Sequence, residues 1–435
     1  MYRKAMQILE EWESKKRQEP LMIIGARQIG KTWLIKEFCN RTYKDHVYIN
    51  FEENPDYASA FEGKLDPKWI IRTLEVLTGK IITADTPIFF DEIQVCEKAI
   101  TSLKYFCEAE EHYRIICAGS LLGVKLNRFG SSFPVGKVMI RQMFPMDIEE
   151  FLVACGEGSL RDYILEAYIN KEKIPEAIHQ KALDLYHDYL MVGGMPAVVL
   201  DYLENDRSVI KMSTVLTDSL ALSYLADMSK YVTSPSESVK ITEVYNSVPR
   251  QLAKENPKFK FSEVKRGANS RDFNSPIEWL ESSGMIYRIN KLDTIAIPLA
   301  GYSDMSSYKI YLSDVGMLSR MCRLRPQDLI STADNRYKGP VVENYAIQQF
   351  KASNMATYYY SPDAKMEIDI ITEYQGEIIP VEIKSGRRKR STSLKNYCEA
   401  YHPHCSVRLS ENQMGFTDDL ISLPLYATFV LSGNR

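Results

Sequence analysis

The chain has 435 residues, 45% of them hydrophobic, enough to bury several cores, and its length suggests about three domains. Its 54 Lys and Arg nearly balance 57 Asp and Glu, so overall charge argues neither for nor against a nucleic-acid partner and only local basic patches bear on it. No apolar run reaches the roughly 18 residues of a membrane span, the N-terminus leads into a charged amphipathic segment and not a signal peptide, and eight scattered cysteines without a C-x-x-C pair point to a reduced, cytoplasmic protein.

Residues 20–122 alternate short apolar strands with helical stretches. Leu21-Met22-Ile23-Ile24, Val47-Tyr48-Ile49-Asn50-Phe51, Pro87-Ile88-Phe89-Phe90 and Tyr113-Arg114-Ile115-Ile116-Cys117-Ala118 read as strands. Nearly continuous apolar strands separated by helices predict a buried parallel sheet. Between the first strand and a helix beginning near Trp33 stands Gly25-Ala26-Arg27-Gln28-Ile29-Gly30-Lys31-Thr32, a G-x-x-x-x-G-K-T phosphate-binding loop in the strand–loop–helix context it requires. Its glycines let backbone N–H groups curl around phosphate oxygens at the positive end of the new helix. Lys31 is expected to reach the β- and γ-phosphates and Thr32 to ligate Mg²⁺, which makes ATP and Mg²⁺ the expected ligands. The third strand delivers Asp91 and Glu92 to its carboxyl end, where open parallel sheets bind ligands. Asp91 would hold the Mg²⁺ shell, and Glu92 would act as general base toward the attacking water.

Residues 145–235 read as helical, broken at Gly193-Gly194-Met195-Pro196. Helices are expected over 239–252 and 275–283, with a short turn at 261–264 between them and a strand over 285–289. Helices followed by a hairpin are the outline of a winged helix. Lys265-Arg266-Gly267-Ala268-Asn269-Ser270-Arg271 adds positive charge there, which suits DNA or a protein contact alike. From about 325 onward a separate α/β unit is expected, with a helix over 341–350, a strand over 358–360 and a hairpin over 366–384. The expected division is therefore 1–155, 156–235, 236–325 and 326–435. His402, His404 and Cys405 lie close together, but three ligands at that spacing match no zinc pattern.

The hairpin carries a second constellation, Glu367-Ile368-Asp369-Ile370 followed by Val381-Glu382-Ile383-Lys384. With Gln375-Gly376 as a two-residue turn, Asp369 falls opposite Glu382 and Glu367 opposite Lys384. Paired residues then lie within about 5.5 Å. Two acids and a lysine on one hairpin suit metal-dependent phosphodiester cleavage. Asp369, Glu382 and the helix residue Glu343 would bind a hard cation, and Lys384 would orient or deprotonate water. A salt-bridge cluster is the alternative reading of the same residues. The run Arg387-Arg388-Lys389-Arg390 suits a phosphate backbone or a solvated loop.

The P-loop, Tyr48-Ile49-Asn50-Phe51-Glu52-Glu53, Phe90-Asp91-Glu92-Ile93-Gln94 and Ala118-Gly119-Ser120-Leu121-Leu122-Gly123 resemble, in combination, the bacterial and archaeal AAA+-type ATPases that carry a C-terminal domain of unknown function. Phe133-Pro134-Val135-Gly136-Lys137-Val138, Gly193-Gly194-Met195-Pro196, Lys309-Ile310-Tyr311-Leu312-Ser313-Asp314-Val315-Gly316 and Val381-Glu382-Ile383-Lys384-Ser385-Gly386 extend the resemblance nearly end to end. It departs at Met228 in Asp227-Met228-Ser229-Lys230-Tyr231, where Phe is more usual. The resemblance implies an α/β protein with a parallel-sheet P-loop ATPase domain, a helical lid, a winged-helix domain and a C-terminal restriction-endonuclease-like, PD-(D/E)XK-type domain. It implies ATP hydrolysis, with Ser120 as either a sensor of the γ-phosphate or a helix N-cap. Many such ATPases assemble as rings in which a neighbour supplies an arginine; Arg128 and Arg141 are the candidates, and monomer or homo-oligomer both stay open. Arg27 would touch phosphate or pack against an acid. Two functions follow: an ATPase linked to a DNA nuclease, or a nucleotide-driven switch that binds DNA or protein without cutting. A phosphotransferase is disfavoured, because no acceptor-substrate motif accompanies the P-loop.

Overall fold

The structure, a computed structural model, describes residues 1–120, 134, 136–230, 234–254, 257–330, 336–363, 366–374, 376–386 and 392–432. Arg128, Tyr231, Gln375 and Arg387-Arg388-Lys389-Arg390 therefore lie outside the described residues, as do Leu121-Leu122-Gly123, Phe133 and Val135. The described chain forms two compact units, residues 1–144 with 282–284, and residues 145–281 with 285–435.

In the first unit, β1 (Leu21–Ile24), β2 (Val47–Asn50), β3 (Ile88–Asp91), β4 (Ile115–Gly119) and β5 (Met139–Gln142) form a parallel sheet in the order β2-β3-β4-β1-β5. The inner strands are short and almost wholly buried, as parallel strands covered on both faces must be. Met22, Ile49, Phe90 and Cys117 pack with Ile70, Leu74 and Leu103 of the helices Pro67–Thr78 and Glu97–Glu108. Strand β4 lies between the P-loop strand and the acidic strand. The registers Ile24↔Gly119 and Asn50↔Asp91 bring the P-loop, Asp91 and the end of β4 to one carboxyl edge.

The second unit contains the helices Ile148–Ala154, Gly158–Ile169, Glu176–Val192, Pro196–Glu204 and Thr214–Lys230, so the helical pattern and its break at Gly193 appear as expected. Next come the helices Pro235–Leu252, Phe261–Val264 and Ser270–Ser282 and an antiparallel pair, β6 (Ile286–Leu292) and β7 (Ser303–Leu312). The last of these helices begins before residue 275 because Asn269 Oδ1 accepts the Asp272 N–H at 3.2 Å and starts it there. The C-terminal strands are β8 (Tyr358–Asp363), β9 (Met366–Tyr374), β10 (Glu377–Ile383), β11 (Ser406–Ser410), β12 (Gly415–Phe416) and β13 (Leu420–Pro424). They share one eight-stranded sheet with β6 and β7, in the order β12-β13-β11-β10-β9-β8-β6-β7. The segment from 326 is thus not separate: β8 pairs in parallel with β6 through Lys291↔Tyr359 and Leu292↔Tyr360.

Two devices tie the second unit together. The helix Lys338–Ala352 presents buried amides to backbone groups elsewhere. Asn344 exchanges two hydrogen bonds with Leu312, at 2.8 and 3.0 Å, while Gln348 accepts the Val315 N–H and Gln349 the Ile148 N–H. Satisfying a buried backbone group avoids a cost of about 1–3 kcal/mol. The second device explains two glycine motifs. Asp314 Oδ2 accepts the Gly194 N–H at 2.6 Å, and Asp314 Oδ1 accepts the Met317 N–H at 2.9 Å. A Cβ on Gly194 would lie 2.0 Å from the Met146 carbonyl oxygen, and one on Gly193 2.3 Å from Asp314. Burial pushes the Asp314 carboxyl up to about 6 despite these backbone donors.

Candidate functional site

The P-loop bends through three left-handed residues, Gly25 (φ 153°), Gln28 (φ 60°) and Gly30 (φ 93°). Gly25 also admits the Met143 carbonyl oxygen, which a Cβ would approach to 2.3 Å. The helix Lys31–Thr42 starts directly after the loop, so its N-terminal N–H groups and positive dipole end face the same place. Lys31 is buried, and its ammonium donates to the carbonyls of Gly25 (3.0 Å) and Ala26 (2.6 Å). Burial pulls its pKa down to about 8, opposed by the charges of Glu92 and Asp91.

Thr32 Oγ1 donates to Asp91 Oδ2 at 2.9 Å, and Tyr48 donates to the same oxygen at 3.0 Å. Asn50 Nδ2 in turn donates to the Tyr48 oxygen at 3.0 Å. Burial raises the Asp91 pKa, and the Thr32 and Tyr48 hydrogen bonds work against that rise. A hydroxyl and a carboxylate in contact, both oxygen donors, suit a hard cation that keeps several waters. Glu92 follows in the left-handed region at φ 49°, a conformation that costs about 1–3 kcal/mol and collects at functional sites. Its carboxylate oxygen Oε2 accepts from Ser120 Oγ at 3.2 Å and from Gln94 Nε2. Gln94 Nε2 also lies 3.2 Å from Ser120 Oγ.

The expected nucleotide and Mg²⁺ residues of this unit thus converge. Arg27 sits within 3.7 Å of Glu52, which favours the reading that it packs against an acid. Arg141 lies exposed on the edge strand β5 and donates to the Ile140 carbonyl. Tyr48, Asn50 and Gln94 carry no expected role in the sequence, although Tyr48 and Asn50 share one strand-end motif and Gln94 follows Glu92 by two residues.

The second constellation is differently built. The ladder runs from Glu377↔Tyr374 to Val381↔Ile370, the register a two-residue turn demands. Beyond it, Asp369 Oδ2 accepts the Ile383 N–H at 2.7 Å. Lys309 of β7, its side chain only 2% exposed, pairs with Glu343 at 3.0 Å and Glu367 at 2.8 Å. Tyr311 donates to the same Glu343 oxygen at 2.5 Å. Lys384 pairs with Glu382 at 2.8 Å, and Arg408 approaches Glu382 to 3.9 Å. Burial, and next the Glu343 charge, push the Asp369 carboxyl up to about 7. Among the described residues no three His, Cys, Asp or Glu side chains are placed to hold a metal ion. Two of the three expected metal ligands face a cation instead, Glu343 the ammonium of Lys309 and Glu382 that of Lys384. Lys309 was missed because it arrives from a distant strand.

A parallel sheet with a P-loop on an inner strand, a paired hydroxyl and carboxylate, and a following glutamate make the arrangement of a P-loop nucleotide-binding domain. Residues 17–152 match the family described as an AAA domain, while residues 183–328 and 338–426 match two domains of unknown function, DUF8612 and DUF4143. No curated protein matches the chain. Among solved structures, the Walker-type ATPase of Pyrococcus abyssi is similar at 16% identity and a TM-score of 0.42, covering 73% of this chain and 94% of that one. The ORC2 protein of Aeropyrum pernix is similar at 12% identity and a TM-score of 0.35 over 65% of this chain and 85% of its own. DnaA of Aquifex aeolicus, bound to AMPPCP, follows at 14% and 0.29 over 65% and 89%. Among the described residues no helix is long and apolar enough to cross a membrane.

Proposed function

We propose that the chain is an ATP-hydrolysing switch that works with DNA, and that its C-terminal segment is a nuclease-like fold that holds its partner without cutting. Lys31 and the loop N–H groups bind the phosphates. Glu92 takes a proton from the attacking water. Mg²⁺, held by Thr32 and Asp91 when bound, supplies neutralisation of phosphate charge. The helices 235–282 and the β6–β7 pair are the elements read as a winged helix, and Lys265, Arg266 and Arg271 are exposed among them, which supports a DNA partner.

The observation that carries the non-cleaving reading is Lys309, a buried ammonium paired with two carboxylates of the acidic group. The nuclease reading keeps one specific support, the Asp369 carboxylate that accepts the Ile383 N–H and so lies beside Glu382-Ile383-Lys384. Plasmid and single-stranded DNA incubated with Mg²⁺ or Mn²⁺, with and without ATP, separate the two. The switch reading expects ATP turnover, DNA affinity that differs between ATP and ADP, and intact DNA. Cleavage lost in Asp369→Ala would establish the nuclease instead, and equal DNA affinity with either nucleotide would sink the switch.

A further inference from the structure

Gln94 is completely buried in the first unit, two residues beyond Glu92. A buried polar side chain is costly unless it is hydrogen-bonded, and this one spends its amide on two groups of the ATPase site. The left-handed backbone of Glu92 and the 3-10 turn Ile93–Val95 fold the chain back, so that the Gln94 amide meets the Glu92 carboxylate. Strand β4 supplies the third corner: Ser120 Oγ lies 3.2 Å from Glu92 Oε2 and 3.2 Å from Gln94 Nε2. Both donors converge on one oxygen of Glu92. The triangle joins the acidic strand to the neighbouring strand at the edge where the γ-phosphate would lie.

We propose that Gln94 is the positioning residue for Glu92: its amide fixes the carboxylate rotamer and links it to Ser120, so that Ser120 and Glu92 act as one unit on the attacking water. The proposal rests on Glu92 being the general base. A carboxylate with one oxygen tied by two donors points the other in a fixed direction. Misplacing a reacting group by a fraction of an ångström costs far more in turnover than in binding.

The test is steady-state ATP hydrolysis by the full chain carrying Gln94→Met, Ser120→Ala, Ser120→Thr and the Gln94→Met/Ser120→Ala pair, with Glu92→Gln as reference. Gln94→Met keeps the buried volume and removes the amide. The expected result is a kcat lowered about 10- to 100-fold with KM for ATP within about twofold. Ser120→Thr should retain turnover where Ser120→Ala loses it, and the double variant should lose much less than the product of the single losses. Wild-type kcat in Gln94→Met, or strictly multiplicative losses, would overturn the proposal. A loss confined to KM and thermal stability would mark Gln94 as a packing residue and overturn it equally. If Gln94→Met fails to fold, Gln94→Glu decides in its place: a second carboxylate against Glu92 must lower kcat and move its pH profile, and an unmoved profile counts against the triangle. Full turnover in Glu92→Gln refutes the base itself, an outcome separate from any result at Gln94.

Discussion

At the edge of the N-terminal sheet, Asp91 and Glu92 are held by neutral donors, the hydroxyls of Thr32, Tyr48 and Ser120 and the amide of Gln94. In the second unit, Glu343, Glu367 and Glu382 are held by the ammonium groups of Lys309 and Lys384. Neutral donors orient a carboxylate and leave its charge available for a cation or a proton. Cationic partners orient it too, but they cancel the charge that a metal would need. Two acidic constellations that look alike in sequence thus differ in the charge of the side chains that hold their glutamates.

The largest test of that contrast is Glu92→Gln. ATP should bind as before, while kcat falls about 100- to 10,000-fold, as expected for losing a general base; retained turnover would remove Glu92 from the comparison. Next is Lys309→Met, which strips the buried cation from Glu343. Chemical denaturation should show the second unit destabilised by about 3 kcal/mol, the scale for breaking a buried pair from one side. Mn²⁺ should restore part of that stability to the second unit of the variant and add none to the second unit of the wild-type chain. Wild-type stabilisation by Mn²⁺ that disappears in Asp369→Ala would erase the contrast. The smallest effect concerns Lys31. Its ammonium is the form that binds phosphate and its pKa is lowered to about 8, so binding competence is full below pH 8 and lost as pH rises through it. The kcat/KM for ATP should therefore fall above pH 8, by at most about tenfold per unit. A profile flat to pH 10 would show that burial leaves Lys31 unaffected.

Much of the first site was legible because its parts are local. The P-loop needs one strand, eight residues and a helix start, and Asp91-Glu92 needs only the end of an apolar strand. The hairpin register was legible for the same reason, since Gly376 (φ 81°) and alternation fix it from within. What was not legible is long-range. Nothing in the periodicity near Lys309 says that it will meet Glu343 and Glu367, and nothing in residues 286–312 says that they will join the C-terminal sheet. Gln94 stands two residues beyond Glu92 in the sequence, but its side-chain direction depends on the left-handed turn at Glu92, which sequence pattern does not announce.

The contact between Asp314 and Gly194 spans 120 residues. Closing a longer loop costs more chain entropy, and non-local contacts form late. During synthesis the helices from 148 to 204 are complete long before Asp314 exists, so Gly194 has no partner to dock against and the apolar faces of those helices wait uncovered. The nucleotide unit, built almost wholly from residues 1–144, faces no such delay. A ribosome stalled anywhere between residues 205 and 313 would therefore release a chain with a finished phosphate loop joined to an unfinished, adhesive middle.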